Sequence, residues 1–344
     1  MPETIAAWKT QGMPDDVSWE ELFQLDPPAE HRLRDLGWCE AGLEPKFEER
    51  LIEDRGECEV VQDFAGRHVL YFKNRRSGFM PEYVDHPVKD RKTWEEQIKW
   101  RMNPTTPARY ATLPERMAAA QAAAAQGLVM NEGLVGGFMY LRSLFGPEEI
   151  LYAVHDQPDL IHECMQTWFA LADAVIARHQ EFVTLDEMIF AEDITYNHGP
   201  LISPDMIREF LFPYYQQLIA NLKRRQLDPS RTLHVHLDTD GFCDPVIPLY
   251  REAIGLDFIS PFEVASGSDV VRTGREYPDL LMSGGIDKRV LARSKREIDA
   301  MVERILPPLR ERGGYIPTVD HGTPAEVPYE NYLHYRQRCV ELGG

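Results

Sequence analysis

In "HVHLDTDG", residues 234 to 241, four polar residues fall at every second position: His234, His236, Asp238 and Asp240. Val235, Leu237 and Thr239 lie between them. An extended chain sends alternate side chains to opposite faces, so a strand here puts two imidazoles and two carboxylates on one side. Two chemistries suit that set. His236, Asp238 and Asp240, joined by His321 from "VDHG", offer nitrogen and oxygen ligands for zinc or another divalent metal such as iron or manganese. Without a metal, the same groups would serve as general acid and base, with close carboxylates pushing one another's pKa values apart. Gly322 permits a tight turn that presents His321, whereas His234, deepest in the run, reads as a packing histidine.

Five other short apolar runs also finish in polar residues: "GLVMNEG", "EMIFAEDIT", "DFISPFE", "LLMSGGID" and "GGYIPTVDHG". Their ends carry Asn131 and Glu132, Glu192 and Asp193, Glu263, Asp287, and Asp320 with His321. Aspartate there is also a common helix cap, a role that competes at Asp193, Asp240 and Asp287. Burying such a group unpaired costs roughly 1 to 3 kcal/mol, so each needs a partner, water or a metal. Asp240, His321, Glu192, Asp193 and Glu263 are therefore the catalytic candidates. Arg142, Tyr196, Asn197 and Asp287 are the candidates for substrate contact, with Arg142 the anion binder.

Longer helical patterns such as "QPDLIHECMQTWFALADAVIARHQEF" and "SKREIDAMVERILPPLRER" separate the runs. Ser203 with Pro204 marks a helix start, and "ERMAAAQAAAAQG" reads as a helix stopping near Gly127. Alternating strand and helix implies a parallel sheet under helices, and more than five such units favour closure. The expectation is an α/β fold, a (β/α)8 TIM barrel over residues 111–344, behind a mostly helical extension over residues 1–110. No G-x-G-x-x-G follows the first run, which disfavours an open nucleotide-binding sheet.

The 344 residues are 43% hydrophobic and 27% charged, as in ordinary globular proteins. A formal charge of −19 opposes nucleic acid and anionic membrane as partners. No run approaches the roughly 20 apolar residues a membrane helix needs, and the first residues lack a signal-peptide pattern, so a cytoplasmic location is expected. The five widely spaced cysteines suggest neither disulfides nor a thiolate zinc knuckle. A small-molecule substrate is expected, and assembly as a homodimer is admitted.

From about residue 80 onward the sequence resembles the uroporphyrinogen decarboxylase superfamily, which includes corrinoid-dependent methyltransferases. The resemblance rests on "PEYVDHPVKDRKTWEE", "AEDITYNHGPLISPDMIREFLFPYYQQL", "LDTDGFCDPVIPLYREAIGLDFISPFE", "LLMSGGID" and "GGYIPTVDHGTPAEVPYENYLHY". It implies a TIM barrel and puts His321 at the family's Gly-x-His-Gly position. The decarboxylases' arginine clamp for porphyrinogen carboxylates is only partly matched by "NRRSGFMPEY", which lacks the Gln-Ala-Gly element. The methyltransferases' zinc-binding His and Cys fall at Asp238 and Asp240, with His236 beside them, and at Asp320 and His321. The resemblance thus implies methyl transfer between a small methylated compound and a corrinoid carried by a partner protein. A cofactor-free decarboxylase or lyase acting on a carboxylated ring, and a barrel that only binds a tetrapyrrole or corrinoid, are the competing expectations.

Overall fold

The six polar-ended runs all become strands of one parallel sheet. The computed structural model describes residues 2–73 and 81–343. Its sheet contains β1 (Glu30–Leu36), β2 (Val129–Val135), β3 (Glu187–Ala191), β4 (His234–Asp238), β5 (Phe258–Ser260), β6 (Leu281–Ser283) and β7 (Tyr315–Ile316), neighbours in chain order. An Ile286–Val319 bridge extends the β6–β7 pairing. Around the sheet run α1 (Leu113–Ala125), α2 (Gly137–Phe145), α3 (Pro158–His179), α4 (Phe212–Arg225), α5 (Lys295–Arg312) and α6 (Tyr329–Gly343), together with shorter helices. This is the expected α/β barrel class, with seven strands hydrogen-bonded in series among the described residues.

Apart from Glu132, whose carboxylate lies 2.7 Å from His179 of α3, the helix-facing residues of the central strands are apolar and fully buried. Met188, Phe190, Val235, Leu237, Ile259 and Met282 are each at 0% exposure, a burial that contributes roughly 1.5 to 3 kcal/mol per large side chain. Phe190 stacks on Tyr215 of α4 at 4.6 Å, which fixes the parity of β3: even residues face the helices and odd residues face the barrel axis. In β4 the parity is reversed, so Val235 and Leu237 fill the helix layer while His234, His236 and Asp238 face inward.

Helix boundaries follow local chemistry. In α1, Leu113, Met117, Ala120 and Ala123 form one buried stripe, and Gly127, at φ +83°, follows its end as the sequence suggested. Ser203 caps Pro204–Phe210 by accepting from the Met206 N–H at 3.2 Å. Ser294 and Glu297 form a capping box before α5, which buries Ile298, Met301, Val302, Ile305 and Leu309.

The N-terminal segment departs from the expectation. Residues 1–110 are not a mostly helical extension, because Glu30–Leu36 is the first barrel strand and pairs with β2. Within that segment, Arg50–Arg55, Cys58–Gln62, His68–Phe72 and Glu82–Asp85 form a separate antiparallel sheet. Charged residues on one face of "EHRLRDL" hid the strand: Leu33 is buried, while Arg32 and Arg34 are exposed. No helix among the described residues is long and apolar enough to cross a membrane.

Candidate active site

The loops after β3, β4 and β7 meet at the carboxyl ends of the strands, where a barrel of this kind carries its chemistry. Asp193, just beyond β3, has the left-handed backbone angle φ +41°. Its Oδ2 accepts from Arg142 Nη2 at 2.9 Å, and its carboxylate also takes the Asp240 backbone N–H. Asp240 in turn places Oδ2 3.5 Å from His321 Nε2. Arg142, Asp193, Asp240 and His321 therefore form a continuous line across three loops. Burial, then the Asp240 charge, pushes the Asp193 carboxyl above its ordinary range, against the pull of Arg142. The hydrogen bond to Asp240 raises the His321 imidazole, so its cation persists to higher pH than usual.

A second cluster sits one loop further round. Glu263 Oε2 accepts the Gly241 N–H at 3.0 Å, and Glu263 Oε1 lies 3.5 Å from Lys288 Nζ. Lys288 also lies 3.7 Å from Asp320, whose fully buried carboxylate takes the N–H groups of Val264 and Lys288. Burial raises Asp320 above the usual carboxyl range. Tyr196 is 48% exposed at the rim, in a two-residue hairpin pairing with Gly199–Pro200, and its backbone lies against Gly241. Asn197 Oδ1 accepts from Ser266 Oγ at 3.1 Å.

Below the mouth, the inward face of β4 joins a line of hydrogen bonds. His236 Nδ1 is 2.7 Å from Glu187 Oε1, and its Nε2 is 2.8 Å from Ser260 Oγ. The Ser260 hydroxyl donates to Asp238 Oδ2 at 3.0 Å. The imidazole also stacks on Phe258 at 3.9 Å. Burial raises Asp238, helped by Asp240 and Asp193 and opposed by His236 and Ser260.

The comparisons bear on the family and the fold. A family model described as "Uroporphyrinogen decarboxylase (URO-D)" matches residues 82–341. The chain belongs to the uroporphyrinogen decarboxylase family. Among curated relatives, the uroporphyrinogen decarboxylase of Geobacter metallireducens is 25% identical over 53% of this chain and 51% of its own length. That of Acinetobacter baylyi is 27% identical over 50% of this chain and 46% of its own. The chain spans about half the length of these relatives, a match that fits a URO-D-like superfamily member rather than a uroporphyrinogen decarboxylase proper. Among solved structures, a methyltransferase from Methanosarcina mazei superposes with a TM-score of 0.57 at 16% identity, covering 94% of this chain and 83% of that one, and shares the fold.

Several expected roles within the URO-D barrel are corrected. Glu192 is not at the mouth: the parity of β3 turns it behind the sheet, where Tyr215 donates to Oε2 at 2.5 Å and the Phe138 N–H to Oε1 at 3.0 Å. Full burial pushes its carboxyl up to about 7. There it anchors the first turn of α2, the helix that carries Arg142. Asp287 plays the cap role anticipated for it, accepting from the Arg289 N–H at 2.9 Å and binding the Arg289 guanidinium through both oxygens. Arg142 meets Asp193 through Nη2 and so shapes the mouth.

The expected metal set, His236, Asp238, Asp240 and His321, does not fit a metal centre. Both His236 nitrogens are engaged by Glu187 and Ser260, and among the described residues no group of three or more His, Cys, Asp or Glu is placed to hold a metal ion. Most of the "NRRSGFMPEY" clamp segment, residues 74–80, lies outside the described residues. Sequence reasoning missed Glu187, Ser260 and Lys288. Parallel pairing of His234 with Glu187 and of Asp238 with Ser260 supplies two of them. The only signal in the sequence was a lone hydroxyl in "DFISPFE" and an acid opening "EMIFAED".

A concavity of about 500 Å³ beside Arg34, Glu40 and Arg109 is a weaker candidate. Its Arg116 is paired with Asp35, and its Arg109 donates to the carbonyls of Gly42 and Arg101. The mouth keeps the half-exposed, charge-coupled groups that proton chemistry needs.

Proposed function

We propose that this URO-D-family chain is a methyltransferase that uses acid catalysis, moving a methyl group from a small methylated compound to a corrinoid carried by a partner protein. The single observation behind this reading is the Asp240–His321 pair, half exposed at the mouth, with the imidazole raised by its carboxylate. A heteroatom that loses a methyl group must leave as an alkoxide or amine, and a positioned imidazolium lowers that barrier by giving it a proton. The corrinoid would supply the acceptor for the methyl group. His321 would give its Nδ1 proton to the leaving heteroatom, Asp240 facing Nε2 would hold the cation, and Asp193 with Arg142 would fix the Asp240 loop.

The test is transfer from a panel of methoxyaromatics and methylamines to cob(I)alamin, followed by its absorbance change. The wild type should react with at least one member, and His321→Ala should lose the reaction at least a hundredfold. Failure of the wild type across the whole panel would sink the transferase reading. The alternative, a carboxy-lyase, draws support from the decarboxylase names of the curated relatives and from the same acid pair, which would protonate a carbanion after loss of carbon dioxide. Release of carbon dioxide from uroporphyrinogen or a smaller carboxylated ring would favour it.

A further inference from the structure

We propose that Glu187, His236 and Ser260 form a proton reservoir for Asp238, and that His236 is a positioning and proton-storing residue, not a metal ligand. A serine hydroxyl has one proton. Ser260 gives it to Asp238 Oδ2, so its oxygen is left to accept from the group on its other side, His236 Nε2. The other ring nitrogen faces Glu187 Oε1, whose second oxygen already accepts from Asn131 Nδ2. Both ring nitrogens therefore face acceptors, and the arrangement is complete when both carry protons. Phe258, stacked flat on the ring, excludes a third approach from that side.

The transfer this line permits is short. The Ser260 proton moves to Asp238, the Nε2 proton moves to Ser260 Oγ, and the hydroxyl is restored. An imidazolium and a carboxylate become a neutral imidazole and a carboxylic acid, with the Nδ1 proton still on the ring and donated to Glu187. The reverse sequence takes a proton back. Asp238 can thus change between base and acid without drawing on bulk water. The charged or titratable groups around the ring are Glu187 on β3, Asp238 and His234 on β4, and Glu30 and Arg34 on β1, which reach it through Asn131 and Asp238 respectively.

The inference rests on placing the chemistry at this mouth, but its test needs no substrate, so failure of the transfer assay leaves it standing. The full chain, labelled with 15N in histidine and 13C in aspartate carboxyls, is read by NMR at pH 6.5. Two ring N–H signals are expected for His236 in the wild type. Ser260→Ala should keep the Nδ1 signal, lose the protected Nε2 signal and shift the Asp238 carboxyl resonance. Glu187→Gln should leave one ring proton. The idea is overturned if His236 carries a single proton in the wild type, or if Ser260→Ala leaves the Asp238 resonance in place. Direct ligation of added zinc by His236, seen as a large 15N shift at one ring nitrogen, would overturn it as well. If Glu187→Gln fails to fold, Ser260→Ala, which removes only a hydroxyl, decides the question alone.

Discussion

Glu192 offers a stability measurement that separates a buried structural carboxyl from a catalytic one. It lies behind the sheet, fully buried, bonded to Tyr215 and to the Phe138 N–H, with the Tyr250 hydroxyl nearby but outside hydrogen-bond geometry. Its carboxyl is pushed from an ordinary 4.5 to about 7, with burial the leading cause. A carboxyl raised on folding favours the folded state while protonated. That contribution is fully present below about pH 4.5 and is lost as the pH rises through about 7. At roughly 1.4 kcal/mol per pKa unit the total is at most about 3.5 kcal/mol, of which about 2.5 kcal/mol falls between pH 5 and 8. Glu192→Gln keeps the shape and removes the titration. Urea unfolding of both proteins at pH 5, 6, 7 and 8 should therefore show the variant gaining on the wild type by about 2 to 3 kcal/mol across the range. A difference that stays flat within about 0.5 kcal/mol over those pH values would refute the buried-carboxyl account.

Three further outcomes follow from the mouth. Asp240→Asn removes the partner that raises His321, so the alkaline limb of the activity profile should move to lower pH; an unchanged limb would disconnect the pair from catalysis. Arg142→Ala should cost under about 1 kcal/mol in unfolding experiments, because the pair it leaves is partly exposed, yet it should reduce turnover at least tenfold by freeing Asp193. Equal losses in both measurements would make Arg142 merely structural. Gly241→Ala puts a Cβ 2.8 Å from the Tyr196 backbone at φ +84°, so thermal unfolding should show a loss of about 2 kcal/mol or more.

The barrel was legible where its strands are apolar on the helix side and polar at one end, which is why six runs and several caps were found. β1 obeys the same rule as "HVHLDTDG", with alternate residues facing the axis, but its inward residues are Glu30, Arg32 and Arg34. Charge on a lumen open to solvent costs little, so the strand has only Leu33 and Leu36 as buried apolar residues and looks like a surface segment. The domain boundary was misplaced for that reason.

Within the site, parity was available and underused. Counting by twos from Phe190, which packs against Tyr215, puts Glu192 on the helix side, while Asp193 falls beyond the strand and turns to the mouth through its positive φ. What no single run contains is register. Ser260 opposes Asp238 and Glu187 opposes His234 because parallel neighbours are hydrogen-bonded in that alignment. A slip of one residue would turn Ile259 or Met188 toward the axis in place of these polar groups. His236 would then face no acceptor, and leaving a polar group buried without a partner costs roughly 1 to 3 kcal/mol. The polar strand at the centre of this barrel is therefore specified together with its neighbours, and the buried imidazole helps to select the register that makes it useful.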